Sequence, residues 1–384
     1  MISHGSHRGD DIASAVRDAG GTAVRGVGSG TWLHGGPVEN NAAATLVRPP
    51  SGVIEYTPGD LVITIHAGTT LEEISAVCAA SGQMLAIAPY GSPQSTVGAV
   101  VATASAAPLS YEDLTIRDLV LGLTVVTGTG NVVRVGGKVV KNVAGFDLVR
   151  LNTGAFGTLG VITEVSLRLH AKPMMDHVVT GTLSGTPADW VPRLVANRAP
   201  LPMLVRLAPG ESAQLFARCT GNTERASALR GIMQSYGVSS AFTLGPSDTN
   251  STGDDTSLVT ALRHVPQQSL VLRARTTLSE GDLLIEAVRS AFPHATLLYN
   301  PARGSVRMMT APGANDEARI AAFVKSHATT PNATFSVVVE QGTTQVSEPN
   351  RLDVLIKRAF DPHDILPRRR ADPRDIDSRA AEAP

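Results

Sequence analysis

Apolar and polar positions alternate along this chain with two periods, and the change between them marks its elements. Val161, Thr163, Val165, Leu167 and Leu169 interleave with Glu164, Ser166 and Arg168, which predicts a strand with one buried face. Short β-branched runs over residues 61–67, 119–127 and 132–135 predict further strands. Ile12, Ala15, Val16 and Ala19 sit at helical spacing over residues 11–19, and Gly20 and Gly21 end that helix. A second helix is predicted over residues 71–80, opened by a Thr70…Glu73 capping box, with Leu71, Ile74, Val77 and Cys78 turned inward. Beyond Pro173, strand-like runs at 203–207, 269–275, 296–299 and 335–339 alternate with helical runs at 224–236, 281–292 and 315–327. That alternation suits a small sheet with helices on one face. Residues 245–257 are polar and read as a loop excursion. The pattern predicts an α+β fold in two pieces, residues 1–172 and 173–345, followed by a C-terminal helix and charged tail over residues 346–384.

Three segments carry candidate chemistry. The first is Val24-Arg25-Gly26-Val27-Gly28-Ser29-Gly30-Thr31. Alternate glycines let successive backbone amides converge on an anion, with Ser29 and Thr31 as further donors, so a phosphate or pyrophosphate fits there. The loop lacks the Gly-Lys-Ser/Thr ending of a P-loop, and Leu33 and Thr31 stand where a Rossmann fingerprint needs its third glycine. The second segment runs from Pro89, Tyr90 and Gly91 through Thr96 into the small residues that begin at Gly98 and Ala99. Small side chains fill little volume, so this backbone lies close either to a neighbouring element, as in a tightly packed helix, or to a ligand. The third segment places Lys138, Lys141, Asn142, Gly145, Gly154, Gly157 and Gly160 directly ahead of the predicted strand at 161–169. It is either a plain loop between strands or a turn that clasps a flat ligand with its amides.

In this order the three segments resemble the FAD-binding domain of the vanillyl-alcohol oxidase/p-cresol methylhydroxylase (PCMH-type) superfamily. More narrowly, they resemble the FAD-binding subunits of glycolate oxidase (glycolate dehydrogenase). The resemblance rests on residues 25–31, 52–68, 81–85 and 116–122, and most specifically on Lys141-Asn142-Val143-Ala144-Gly145-Phe146-Asp147-Leu148. A weaker echo lies in Phe360-Asp361-Pro362 through Leu366, where Pro367-Arg368-Arg369 replaces the family's closing Asn-Pro-Gly. That departure leaves open whether the tail meets the flavin domain. Another departure is Leu114-Thr115-Ile116, where many relatives carry a glycine ahead of the Arg-Asp pair.

The resemblance implies a two-subdomain FAD-binding domain followed by a smaller α+β cap or substrate domain. It assigns the pyrophosphate loop to Arg25, Gly26, Val27, Gly28, Ser29, Gly30 and Thr31. Pro89, Tyr90 and Gly91 would run along the flavin, with Thr96, Gly98 and Ala99 adding backbone contacts. Gly157, Gly160, Val161 and Ile162 would hold the cofactor from the second subdomain. Relatives with covalently attached flavin place a histidine where this chain has Ser29, so the resemblance implies FAD bound non-covalently.

Composition adds exclusions. Lys plus Arg number 33 against 34 Asp plus Glu, a balance that gives no support to nucleic-acid binding. No apolar run reaches the roughly 18 residues of a membrane span, and residues 1–10 are polar, without a secretory core. The two cysteines, Cys78 and Cys219, cannot hold an iron–sulfur cluster, which needs about four thiolates. The expectation is a cytoplasmic protein without a metal, with membrane association through partners as the alternative.

Oxidation of a 2-hydroxy acid at a flavin needs a base for the hydroxyl proton and a cation for the carboxylate. The second piece offers His177, His264, His294 and His327, and Arg206, Arg273, Arg275, Arg303 and Arg307, without a constellation legible in the sequence. The catalytic base is therefore not assigned. Two readings stand: a flavoenzyme subunit oxidising glycolate or a similar acid, or a non-catalytic FAD-carrying subunit. In both, the resemblance implies a second flavoprotein subunit and an iron–sulfur subunit as partners. Because Ser29 offers no imidazole for a flavin bond, FAD is expected to leave the acid-denatured chain completely, so that the yellow colour stays in the supernatant and none precipitates with the protein.

Overall fold

The computed structural model describes residues 9–30, 43–87, 89–105, 109, 111, 114–137, 147–196, 202–246, 262–264, 269–328, 336–341 and 351–368. Thr31, Lys138, Lys141, Asn142 and Gly145 lie outside the described residues, as do residues 247–257 of the polar excursion.

The chain opens with helix α1, Gly9–Arg17, whose Ile12 and Val16 are buried as their spacing requires. Strands β1, Val24–Gly26, and β2, Thr45–Val47, pair in parallel. Next come β3, Val53–Thr57, and β4, Val62–His66, and then helix α2, Leu71–Ala79. The expected capping box forms: Glu73 N donates to Thr70 Oγ1 at 3.1 Å, and Thr70 N donates to Glu73 Oε2 at 2.7 Å. Cys78 is fully buried on the inner face of α2, and burial pushes its thiol up to about 11, which marks it as a core residue. The two-residue strand β5, Gln83–Met84, is followed by helices α3, Val97–Thr103, and α4, Ile116–Leu119, and then by β6, Val120–Val126, and β7, Val132–Gly136. A short helix α5, Leu148–Asn152, leads to β8, Val161–Arg168, and β9, His170–Ala171 pairs with β5.

Five of these strands form an antiparallel sheet in the order β3-β4-β8-β6-β7. Strand β8 occupies its centre, which is why Val161, Thr163, Val165 and Leu167 are all buried. Ile162 is buried too, so the simple alternation of the sequence breaks at the strand's first residues.

The remainder builds an eight-stranded antiparallel sheet in place of the expected small one. Its strands are β10 Asp176–Leu183, β11 Met203–Leu207, β12 Gln214–Thr220, β13 Val238–Pro246, β14 Leu270–Arg275, β15 Thr296–Asn300, β16 Ser305–Thr310 and β17 Ser336–Gln341, in the order β13-β10-β12-β11-β15-β16-β14-β17. Helices α6 Pro187–Ala196, α7 Thr223–Ser235, α8 Gly281–Ala291 and α9 Asp316–Ala328 cover one face. Trp190, Leu229, Met233, Ile285, Val288, Ile320 and Phe323 of these helices share one core with Val179, Val205, Leu215, Leu272, Leu297 and Val306 of the strands.

Helix α6 escapes sequence reading because Pro192 removes an intrahelical amide. Burial of Trp190, Val191 and Leu194 outweighs that loss. Strands β10 and β12 escape it because both their faces are buried, so no clean alternation marks them. Helix α10, Arg351–Phe360, follows the second sheet, and the residues after it return to the first: Ile365 and Leu366 are buried with Val24, Val47 and Val161. Among the described residues no helix is long and apolar enough to cross a membrane. Trp190 is wholly buried beside Tyr299, with ring centroids 6.2 Å apart. Trp190→Ala is therefore expected to destabilise the second sheet by about 3–5 kcal/mol, read as a lower urea midpoint.

Candidate FAD site at the glycine loops

The sequence segments are far apart along the chain, and folding brings them to one place. Strand β1 delivers Gly26 beside the first residue of β8, so close that a Cβ on Gly26 would lie 3.0 Å from Val161 Cγ1. Helix α3 packs against the same strand, and its first residues follow Thr96. A cavity of about 80 Å³ remains between these elements. Gly26, Val27, Gly28, Thr96, Gly98, Ala99, Gly157, Gly160, Val161 and Ile162 line it, drawn from all three candidate segments. Pro49, Ala67 and Ala102 complete the wall. Ala102 belongs to the small-residue run that begins at Gly98, and Ala67 to residues 52–68; Pro49 alone lay outside every motif, in the Pro-Pro pair after β2, whose turn-forming character was the one available signal.

Two properties of this cavity fit an anionic cofactor. Among the described residues nothing accepts a hydrogen bond from the amides of Gly28, Ser29 or Gly30, while Gly28 O is held by Arg48 Nη1. Arg48 thereby fixes the loop's orientation from below, a role that sequence reading did not assign. The hydroxyl of Thr96, in a residue only 5 % exposed, has no hydrogen-bond partner among the described residues. A buried hydroxyl without a partner costs about 1–3 kcal/mol, and a phosphate oxygen in the cavity would remove that cost. The glycines serve the protein as well as a ligand. A Cβ on Gly28 would fall 2.0 Å from Thr96 Oγ1, and one on Gly160 would fall 2.2 Å from Val125 Cγ1. Gly157 has φ +76, a left-handed conformation that glycine adopts without strain.

The other predicted residues stand elsewhere. Arg25, Ser29 and Gly30, the last with φ +83, adjoin the lining residues in sequence, but none of the three lines the cavity. Pro89, Tyr90 and Gly91 sit at the junction with the second sheet. Arg263 Nε donates to Pro89 O at 3.1 Å, Gly91 N donates to Arg263 O at 3.0 Å, and the Arg307 guanidinium lies 3.2 Å from the centre of the Tyr90 ring. Stacking of this kind is worth about 2 kcal/mol when desolvated.

The sheet face opposite the helices is lined with arginine. Strand register sets Arg273 directly across from Arg307, and Arg275 follows on the same face two residues on. Arg275 is shifted below its ordinary value by burial and then by the charges of Arg273, Arg303 and Arg117, the last carried by α4 of the first sheet's unit. Burial opposes ionisation of Asp118 in that helix. Hydrogen bonds from Thr115 and the charges of Arg303 and Arg150 more than compensate, holding its carboxyl below the usual value. Arg206 is taken up by Glu211, at 2.5 Å, and stands apart from the group. Arg218 makes a two-pronged pair with Asp176, donates to Leu109 O at 2.9 Å and lies over the Tyr111 ring. Sequence reading missed both Arg218 and Arg263, because their role is to grip loops far away in the chain.

The candidate histidines do not gather. His264 and His294 are exposed, His177 is half-buried on β10, and the side chain of His327 lies outside the described residues. None of the three whose side chains are described lines the cavity.

Comparison with known proteins bears on this geometry. Residues 7–136 match the family model described as FAD binding domain, a match that supports FAD as the cofactor. The chain is 39 % identical over 166 residues to glycolate oxidase subunit GlcE of Escherichia coli (strain K12), covering 43 % of this chain and 46 % of that protein. It is 36 % identical over 148 residues to glycolate oxidase subunit GlcD of Bacillus subtilis (strain 168), covering 38 % and 31 %. It is 30 % identical over 196 residues to a D-lactate dehydrogenase of Archaeoglobus fulgidus, covering 50 % and 44 %. The matched stretch thus spans less than half the length of each of these relatives. Among solved structures, an alkyldihydroxyacetonephosphate synthase superposes with a TM-score of 0.63 at 15 % identity over 94 % of this chain and 74 % of that one, a likeness of fold.

Two substitutions test the cavity. Gly28→Val is expected to abolish FAD retention, because its side chain meets Thr96 and fills the space a pyrophosphate needs. Thr96→Val keeps the shape and removes only the hydroxyl, so the apo protein should be as stable or more so. Its FAD dissociation constant should nonetheless rise about tenfold, the worth of one hydrogen bond to a charged group. Flavin fluorescence titration and thermal unfolding separate the two effects.

Proposed function

We propose, from the premise of an FAD-binding domain over residues 7–136, that this chain is a subunit of an FAD-dependent oxidoreductase acting on glycolate or a related 2-hydroxy acid. The observation that carries this reading is the arginine group of Arg273, Arg275 and Arg303, joined by Arg117, at the junction of the two sheets. A guanidinium is planar and presents its donors as a fork that matches a carboxylate, the one group every 2-hydroxy acid brings. The flavin, when bound, supplies the hydride acceptor. The chain's own part is to orient the acid through its carboxylate and to hold the two sheets around it. The names of the relatives, two glycolate oxidase subunits and a D-lactate dehydrogenase, support the same substrate class.

The proposed partners are a second flavoprotein subunit and an iron–sulfur subunit that takes the electrons onward. The first draws on the subunit names of the relatives, and the second on the sequence resemblance. Pro89, Tyr90 and Gly91 are proposed to border the flavin where Arg263 and Arg307 grip them.

Anaerobic addition of glycolate or D-lactate to the isolated yellow protein is expected to bleach the flavin. Arg273→Ala should raise the acid concentration needed for half-bleaching by about tenfold or more, the loss of one charge-assisted hydrogen-bonded contact, with FAD content unchanged. A flavin that bleaches only when partner subunits are present would instead support an FAD-carrying subunit.

A further inference from the structure

The cavity is closed from behind by the far end of the chain. At the last residue of helix α10, Phe360 O accepts from Gly128 N at 2.9 Å, and beyond the helix Ile365 O accepts from Val24 N at 2.7 Å. Between these two ties lies Asp361, whose carboxylate is wholly buried. It accepts from Ile365 N at 3.1 Å and Leu366 N at 2.9 Å, and pairs with Lys357 Nζ at 2.5 Å. The same ammonium donates to Thr158 O at 3.0 Å and Leu366 O at 3.2 Å. A Cβ on Gly128 would fall 2.0 Å from Asp361 Oδ1, so the carboxylate occupies space that a larger residue at 128 would take.

The two ends of this network reach two separate stretches of the cavity wall. Val24 leads into Gly26, Val27 and Gly28 on one side, and Thr158 stands between Gly157 and Gly160 on the other. Ile365 and Leu366 fill the gap behind, packed with Val24, Val47 and Val161. We propose that Lys357 and Asp361 form a clasp that holds the two cavity walls in register, making them positioning residues for a cofactor they do not touch. The proposal rests on the reading that this cavity holds the FAD pyrophosphate. A buried carboxylate stripped of its cation is costly, so the pair acts as a unit and neither half serves alone. Because the clasp is reached only after the whole second sheet, FAD retention becomes dependent on the chain being complete to Leu366.

The test uses the full chain with Lys357→Met, Lys357→Arg and Asp361→Asn. FAD dissociation constants and release rates are measured by flavin fluorescence, and apo unfolding is followed by circular dichroism. Lys357→Met and Asp361→Asn are expected to weaken FAD by about tenfold or more through faster release, the scale of a lost charge-assisted hydrogen bond. Lys357→Arg, which keeps the charge and the donors, should recover most of the affinity. Should Asp361→Asn fail to fold, Gly128→Ala, which displaces the carboxylate while leaving it charged, should show the same loss. Wild-type FAD affinity in Lys357→Met overturns the clasp, as does a loss that merely tracks the unfolded fraction and is not rescued by arginine. A wild-type chain that binds FAD but keeps it in Gly28→Val strikes instead at the placement of the pyrophosphate.

Discussion

The first half of the molecule depends on how closely two backbones approach each other. Strand β1 comes so near the first residue of β8 that a Cβ at position 26 would lie 3.0 Å from Val161 Cγ1. This contact sets the width of the cavity, since Gly28 follows from one side and Gly160 and Ile162 stand on the other. Strand β8 itself is held on both edges, by β4 and β6. The third support comes from behind, where Ile365 and Leu366 pack on Val161 and Val24. A loop of glycines has no side chains to hold its own shape, so its shape is imposed by what surrounds it.

The second sheet divides its labour by face. Toward the helices it is a large apolar core of Trp190, Tyr299, Met233 and their neighbours. Toward the first sheet it mixes a small apolar patch, in which Tyr90 and Leu109 meet Phe216, Val178 and Leu298, with the arginines. The patch holds the two units together. The arginines act as grips where a carbonyl or ring meets them, as Arg218 and Arg263 do. Strand alternation makes this division possible, because residues 272 and 273 point to opposite faces as a matter of geometry.

Sequence reading located α1 and α2 by their helical spacing and end signals, β8 by its alternation, and β4, β6 and β7 as short β-branched runs. The glycine loops were legible for a different reason: small residues in a strand-rich region have no packing role of their own, so their number signals close approach. Helix α6 and strands β10 and β12 were not legible, since Pro192 argued against the helix and burial on both faces erased the strand period. Cys78 was read correctly as core, from its place on the inner side of a capped helix.

By itself, then, the sequence determined the local elements and the three glycine-rich and small-residue segments, while FAD was implied by a family resemblance and by no local pattern. The elements and segments follow from residue types within a short window, where periodicity and backbone freedom act. Only the tertiary structure decided that Gly28, Thr96 and Gly160 face one cavity, and that Thr96 brings a buried hydroxyl to it. It alone set Arg273 across from Arg307, and Asp361 behind Val24. Those pairings join residues from distant parts of the chain, and which of them meet is fixed by strand order and register, quantities that no local window contains.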